Sequence, residues 1–352
     1  MSKQPTYSAR PIYIIGAGGI VNTAHLPAYT IAGYHVQGIF DIDLAKASHT
    51  AEKFSIPRVF NTLQEMTDAL PANAVLDIAI PGSAMLHVLE QLPSGLALLL
   101  QKPMGEDLAA AKKILAITRQ KKMMAGVNFQ LRYAPFIVQA RKMIEDGLLG
   151  AITDIEINVN VFTPWQLWHF LYAAARVEIL YHSIHYIDLV RSFFGNPLSV
   201  YAKTIQHPAM KELASVRSNI IMDYGPVRRA NILTNHCHVY GAAKQQSYIK
   251  IEGSRGAVKI DFGALKNYPA GEKDVFQYIL MEEGKYADWK TMPVAGSWFP
   301  HAFIGSMEQV LLAAEGIIDR PDNSAEDSIH TMACVEAAYI SSEQGGVSPD
   351  QL

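Results

Sequence analysis

Along the first third of the chain, short apolar runs recur at residues 11–15, 34–40, 74–80, 96–100 and 123–127. The stretches between them, such as 43–54 and 107–122, space their apolar residues as a helix does. The runs are nearly continuous instead of alternating, as in strands buried on both faces of a parallel sheet. Strand–helix–strand succession with right-handed crossovers predicts a doubly wound sheet of the Rossmann kind.

After residue 127 the pattern changes. Residues 133–147 have helical spacing and end in Gly147-Leu148-Leu149-Gly150, a helix-stop signal. Residues 152–161 read Ile-Thr-Asp-Ile-Glu-Ile-Asn-Val-Asn-Val, the alternation of a strand with one wet face. Further strands are predicted at 198–206, 219–223, 229–234, 247–252 and 257–262, and helices at 177–194, 302–317 and 325–342. Strands in runs, with helices set apart, predict an α+β domain on a largely antiparallel, open-faced sheet. The expected division is 1–127 for an α/β domain and 128–352 for the α+β domain.

Composition narrows the class. The 352 residues are enough for two cored domains at about 100–200 residues each. With 49% apolar and 18% charged residues the chain is globular. A net charge of -3 without a basic stripe argues against nucleic acid as partner. The first ten residues are polar and lack the apolar core of a signal peptide. The aliphatic run at 96–100 is far too short to span a membrane. Cys237 and Cys334 belong to no Cys-x-x-Cys pair, which argues against a disulfide framework or a thiolate zinc site. A soluble, cytoplasmic enzyme is the expectation.

The first strand leads into Gly16-Ala17-Gly18-Gly19-Ile20-Val21. Gly16 permits a tight turn, and Gly18 lets the backbone approach a pyrophosphate at a helix N-terminus. Val21 stands where a third small residue is usual, so the helix is expected to sit farther from the sheet. Asp41 follows about 20 residues on, where a carboxylate bonds the adenosine ribose and repels a 2′-phosphate. NAD is the expected cofactor, with Lys46 leaving NADP open. The cofactor site is expected to include Ile80 and Pro81, where the third run ends.

The loop and its continuation His25-Leu26-Pro27-Ala28 resemble the opening of the glucose–fructose oxidoreductase / inositol dehydrogenase (Gfo/Idh/MocA) family. Gln101-Lys102-Pro103 resembles that family's Glu-Lys-Pro motif, residues 126–135 its domain-crossing segment, and residues 185–191 with Gly195-Asn196-Pro197 its catalytic helix. Residues 249–257 are similar to part of its sheet. The resemblance implies a nicotinamide-dependent oxidoreductase of sugars, polyols or cyclitols, working in the cleft between its domains, with Lys102 and His185 beside the nicotinamide. It also implies that residues 1–127 bind the nucleotide, with Gln101 and Lys102 at the cofactor, that residues 128–352 bind substrate and form dimers or tetramers through their sheet, and that the Lys102–Pro103 peptide is cis. The residue types suit the chemistry. A histidine can take the carbinol proton as hydride leaves, and an ammonium can stabilise the developing alkoxide.

Two departures stand out: Gln101 replaces the family's glutamate, and Tyr181 stands where an aspartate often precedes the histidine by four residues. At helical spacing Tyr181, His182 and Glu178 share a broad face with His185, so a carboxylate, a phenol and two imidazoles could line one wall. Tyr181 is therefore a third catalytic candidate, and His182 assists or binds substrate. Asn128, Arg132 and Trp165 are further substrate-binding candidates. Arg132 has a plain alternative in pairing with a surface carboxylate, and Trp165 in plugging the core. Glu178, His182 and His185, with His236 or His238, have spacing a metal could use, but the resemblance accounts for the helix without one and none is expected. Two rivals remain: a ligand-binding regulator that has lost turnover, motivated by Gln101 and Tyr181, and a redox-assisted glycosidase that keeps its NAD.

Overall fold

The computed structural model describes residues 10–281 and 288–349, so residues 1–9 of the polar leading segment lie outside them. Strands β1 (Pro11–Ile15), β2 (His35–Phe40), β3 (Arg58–Phe60), β4 (Val75–Ile78), β5 (Ala97–Leu100) and β6 (Met124–Val127) pair in parallel in the order β3-β2-β1-β4-β5-β6. Each predicted run contains one strand. The three-residue β3 at the sheet's edge is too short to form a run. Helices α1 (Leu26–Ala32), α2 (Leu44–Phe54), α3 (Leu63–Asp68), α4 (Gly82–Gln91) and α5 (Leu108–Gln120) connect the strands. The side chains of Asp43, Thr62 and Asp107 accept the amides of Lys46, Glu65 and Ala110 and so cap α2, α3 and α5. Each cap satisfies an otherwise orphan donor and contributes about 1 kcal/mol.

Past Tyr133 come α6 (Pro135–Glu145), β7 (Ile152–Asn160), α7 (Ile184–Phe194), β8 (Ser199–Ile205), β9 (Arg217–Asp223), β10 (Arg229–Asn235), β11 (Gln246–Gly253), β12 (Gly256–Asp261), β13 (Val275–Leu280) and β14 (Lys290–Met292). Gly147 stops α6 at φ +71°, and the Leu148 amide reaches back to the Met143 carbonyl. The strands form one sheet ordered β14-β13-β12-β11-β7-β10-β9-β8, antiparallel except for the parallel pair β7–β10. Alternation along β7, β9, β10 and β11 buries Ile155, Ile157, Ile220, Ile232 and Ile249 on one face. The other face leaves Tyr201 58%, Ile221 42% and Leu233 47% exposed. Strands β13 and β14, at one end of the sheet, carry no clean alternation, so the pattern does not predict them.

The chain then forms α8 (Ala302–Ala314) and α9 (Ala325–Gln344). Phe303, Met307, Val310 and Leu311 of α8 are buried in one cluster with Ile12, Ile14, Val75 and Leu99. Burying such a side chain contributes about 1.5–3 kcal/mol, so this stripe holds the helix on the first sheet. Among the described residues, one compact unit comprises those through Tyr133 together with Phe299–Met332, and the other those of Ala134–Trp298 with those from Ala333 on. The second expected domain, 128–352, was drawn as continuous, whereas the structure returns 299–332 to the first unit.

Candidate active site

In the first unit, Gly16 takes φ +107°, and a Cβ there would lie 2.5 Å from the Ala79 carbonyl oxygen, so only glycine fits. Its amide donates to the Phe40 carbonyl at 2.7 Å. The Ala17 amide donates to Asp41 Oδ2 at 2.6 Å and the Asp43 amide to Asp41 Oδ1 at 2.8 Å. The loop thus pins the carboxylate at the end of β2. Gly18 and Gly19 are exposed, with open space where a Cβ would stand, and the chain turns helical from Gly19. Open amides at a helix start beside a fixed carboxylate suit a dinucleotide's pyrophosphate and ribose. Ile20 and Ile80 are half-buried, Ile80 flanking Gly16, and Pro81 is exposed just before α4. Val21 is fully buried and opens a wide i→i+5 turn, Val21–His25, ahead of α1. Lys46, which left NADP open, lies 3.2 Å from Asp43.

The wide turn aims His25 into the interior, where the sequence reading placed no site. His25 Nδ1 lies 2.7 Å from Asp77 Oδ2, and the Tyr29 hydroxyl donates to the same oxygen at 2.7 Å. At the other ring nitrogen, the side-chain amides of Gln101 and Asn128 each donate to His25 Nε2 at 3.3 Å. Gln101 Oε1 accepts the Lys102 amide at 2.8 Å. His25, Asp77 and Asn128 are fully buried. Asn128, expected to bind substrate, instead holds His25, and Gln101, expected at the cofactor, bridges His25 to Lys102. One signal was legible: Asp77 interrupts the third apolar run, and an acid inside a doubly buried strand needs partners. Lys102 is half-buried after β5, its peptide to Pro103 is cis, and burial lowers its amine to about 8. Arg132 donates to Asp327 Oδ2 at 2.6 Å and to the Asp322 carbonyl at 2.8 Å. Of its two readings the structure shows the carboxylate pair, buried on the arginine side and not at the surface.

In the second unit, another wide turn, Ile179–Ser183, runs directly into α7. Just inside α7, His185 meets the indole of Trp298 edge-on, centroids 5.8 Å apart. Tyr181 is half-buried and meets Phe170 edge-on at 5.6 Å. His182 lies 4.4 Å from the His236 ring and 4.8 Å from the Trp165 ring. Glu178 was expected on an open wall, but it is fully buried beneath, accepting the Ser183 hydroxyl at 2.7 Å with its Oε1 3.4 Å from His236 Nε2. Burial pushes its carboxyl up, yet His236 and the serine hydroxyls outweigh that and hold it below the ordinary value. His236 is anchored by the Thr163 hydroxyl at 2.8 Å, and the Asn160 amide donates to His238 Nδ1 at 3.3 Å. Among the described residues no group of three acids, histidines or cysteines is arranged to hold a metal ion. Of the two readings of Trp165 the structure shows the core plug and not the substrate platform: a short turn folds its indole inward with Val177, Leu213, Val216 and Cys237, leaving it 2% exposed.

Comparison with known proteins agrees with this architecture. Residues 11–129 match the model of an oxidoreductase family's NAD-binding Rossmann fold, and residues 141–349 that of its C-terminal alpha/beta domain. The D-apiose dehydrogenase of Paraburkholderia graminis is 21% identical over 340 residues, 94% of this chain and 87% of that protein. The inositol 2-dehydrogenase of Corynebacterium glutamicum (strain R) is 29% identical over 143 residues, 40% of this chain and 42% of that protein. The chain spans only about two fifths of that relative and of an oxidoreductase from Salmonella typhimurium. A solved oxidoreductase from Agrobacterium radiobacter, in complex with NAD+, L-tartaric acid and magnesium, superposes with TM-score 0.76 at 18% identity, covering 96% of this chain and 97% of that one. No helix among the described residues is long and apolar enough to cross a membrane.

Proposed function

The chain belongs to the Gfo/Idh/MocA family of oxidoreductases, with its NAD-binding Rossmann domain, and from that premise we propose that it is a cytoplasmic enzyme that oxidises a carbinol of a sugar, polyol or cyclitol, or reduces the matching carbonyl. The nicotinamide, when bound, supplies the hydride acceptor or donor. Gly16, Gly18 and Gly19 shape the loop for the pyrophosphate, and Asp41 receives the ribose hydroxyls and repels a 2′-phosphate. Lys102 places its ammonium on the substrate oxygen and stabilises charge as the carbinol proton leaves. An imidazole nitrogen of His185 takes that proton, with Tyr181 or His182 assisting. A second copy of the chain covers the open sheet face bearing Tyr201, Ile221 and Leu233.

The observation that carries this reading is Lys102, a half-buried amine brought to about 8 at the strand end of an NAD-binding domain. At that value the group is largely cationic at neutral pH and still able to exchange its proton. The test is a fluorescence titration with NADH and NADPH, followed by turnover assays on sugars and cyclitols. Exchangeable binding that favours NADH, with turnover of a polyhydroxylated substrate, is expected. Protein free of nucleotide that binds neither would overturn the reading.

A further inference from the structure

Gln101 stands where the family motif has a glutamate, and a buried carboxylate, Asp77, lies on the far side of His25 from it. We propose that Asp77 is the displaced charge of this site: acting through His25 and Gln101, it is a positioning residue for Lys102. The inference rests on the proposed role of Lys102 and deepens it.

The polarity of the network follows from its donors. The amide of Lys102 can only donate, so the Gln101 atom facing it is Oε1 and the atom facing His25 is the NH2. His25 Nε2 is therefore an acceptor, and the ring proton sits on Nδ1, aimed at Asp77. Burial and the Asp77 charge push the Tyr29 phenol well above its ordinary range, so it too remains a donor. Every proton in the chain points toward Asp77. That carboxylate selects one tautomer of His25, the tautomer selects one orientation of Gln101, and the orientation holds the backbone of Lys102. A glutamate at 101 would offer His25 an acceptor and demand the opposite tautomer. The two arrangements exclude each other with a neutral imidazole, so the charge belongs on one side or the other.

This yields a charge swap. In Asp77→Asn a carbonyl oxygen can keep the contacts of Oδ2, but the introduced NH2 then falls where Oδ1 has no hydrogen-bond partner among the described residues, and the charge that favours the Nδ1–H tautomer is lost. In Gln101→Glu two carboxylates flank one imidazole. In the double variant the introduced amide can donate to His25 Nδ1 while Nε2–H donates to the new carboxylate; with the Asn128 amide turned to present its Oδ1, which has no hydrogen-bond partner among the described residues, and the Tyr29 hydroxyl turned to accept, the network is satisfied with reversed polarity.

The experiment measures wild type, both single variants and the double variant by ¹⁵N NMR of His25, NMR titration of the Lys102 amine, and steady-state kinetics. The wild type is expected to show the Nδ1–H tautomer and the double variant the Nε2–H tautomer. Asp77→Asn should move the Lys102 midpoint and lower kcat by about tenfold, a cost consistent with slight misplacement of a catalytic group, with the nucleotide KM changed less than about twofold. The double variant should recover most of both. A wild-type Nε2–H tautomer overturns the proposal, and so does an Asp77→Asn variant in which kcat and the Lys102 midpoint stay unchanged. If no substrate is turned over, the oxidoreductase reading fails, and the tautomer and Lys102 titration still decide whether Asp77 controls this site.

Discussion

Each unit buries a histidine against a carboxylate, and the two pairs are built differently. His25 lies 2.7 Å from Asp77 and accepts two amides at its other nitrogen, so its ring proton has one place to be. His236 lies 3.4 Å from Glu178, and Glu178 Oε2 has no hydrogen-bond partner among the described residues. Packing fills the second site instead, with the rings of Trp165 and His182 close against His236. The first pair ends on the backbone of Lys102, whereas the second ends on a half-buried side chain, His182. A directed network transmits a change in charge, while a packed box mainly absorbs a change in shape. Substitutions in the first unit should therefore act on chemistry, and those around Glu178 on stability.

The largest effect should come from removing the group the first network holds. Lys102→Ala is expected to lower kcat/KM by about 10²–10³, the scale for losing one preorganised donor at a developing oxyanion. Lys102→Arg sharpens this through pH. With the wild-type amine near 8, its cationic fraction falls as pH rises through that value, so carbonyl reduction should decline above about pH 8. The guanidinium stays charged, so the variant should lose that limb while running more slowly overall. A rate–pH profile with the same alkaline limb in both proteins would remove Lys102 as its source. Next comes His185→Ala, expected to cost about 100-fold in kcat with nucleotide binding retained, because a proton carrier is lost and no loop contact is. Unchanged turnover would take His185 out of its role.

Asp41→Ser ranks below these, since it alters preference and not the reacting groups. Both carboxylate oxygens of Asp41 are held by backbone amides, so removing the charge should relax NADH-over-NADPH selectivity by about tenfold. Paired dissociation constants for the two nucleotides measure it, and an unaltered ratio places the ribose reader elsewhere.

These effects differ in how far the residues behind them could be read from the chain alone. The parallel sheet was legible because doubly buried strands leave continuous apolar runs, and the glycine loop with Asp41 because it requires particular backbone conformations at set positions. The return of α8 was not legible, since an apolar stripe such as Phe303, Met307 and Val310 shows that a face is buried without showing against which sheet. Asn128 was a substrate candidate and Trp165 either that or a core plug, and both are taken by contacts distant in sequence, with His25 and with His236. Asp77 was overlooked although an acid in a buried strand is itself a signal. Its partners come from α1 and the wide turn before it, those of His25 from the ends of β5 and β6, and only the assembled sheet brings them together.

The smallest effect on activity should be that of Glu178→Gln, and it tests the contrast most directly. Glutamine keeps the acceptor for the Ser183 hydroxyl but sets an NH2 where Oε2 has no partner, so the folded state should lose about 1–3 kcal/mol at pH 7. The change lies beneath His182 but keeps the acceptor that holds Ser183 before His185, so kcat should stay within about threefold of wild type. The pH dependence has a definite sign. The folded-state carboxyl is held below its ordinary 4.5, so the stability contributed by its charge is present above that value and is lost as pH falls through the folded value. Urea unfolding of wild type and variant should therefore show a gap at pH 7 that closes in acid. A kcat loss as large as that of Asp77→Asn, with the stability gap absent, would make the second pair a directed network like the first and erase the distinction between them.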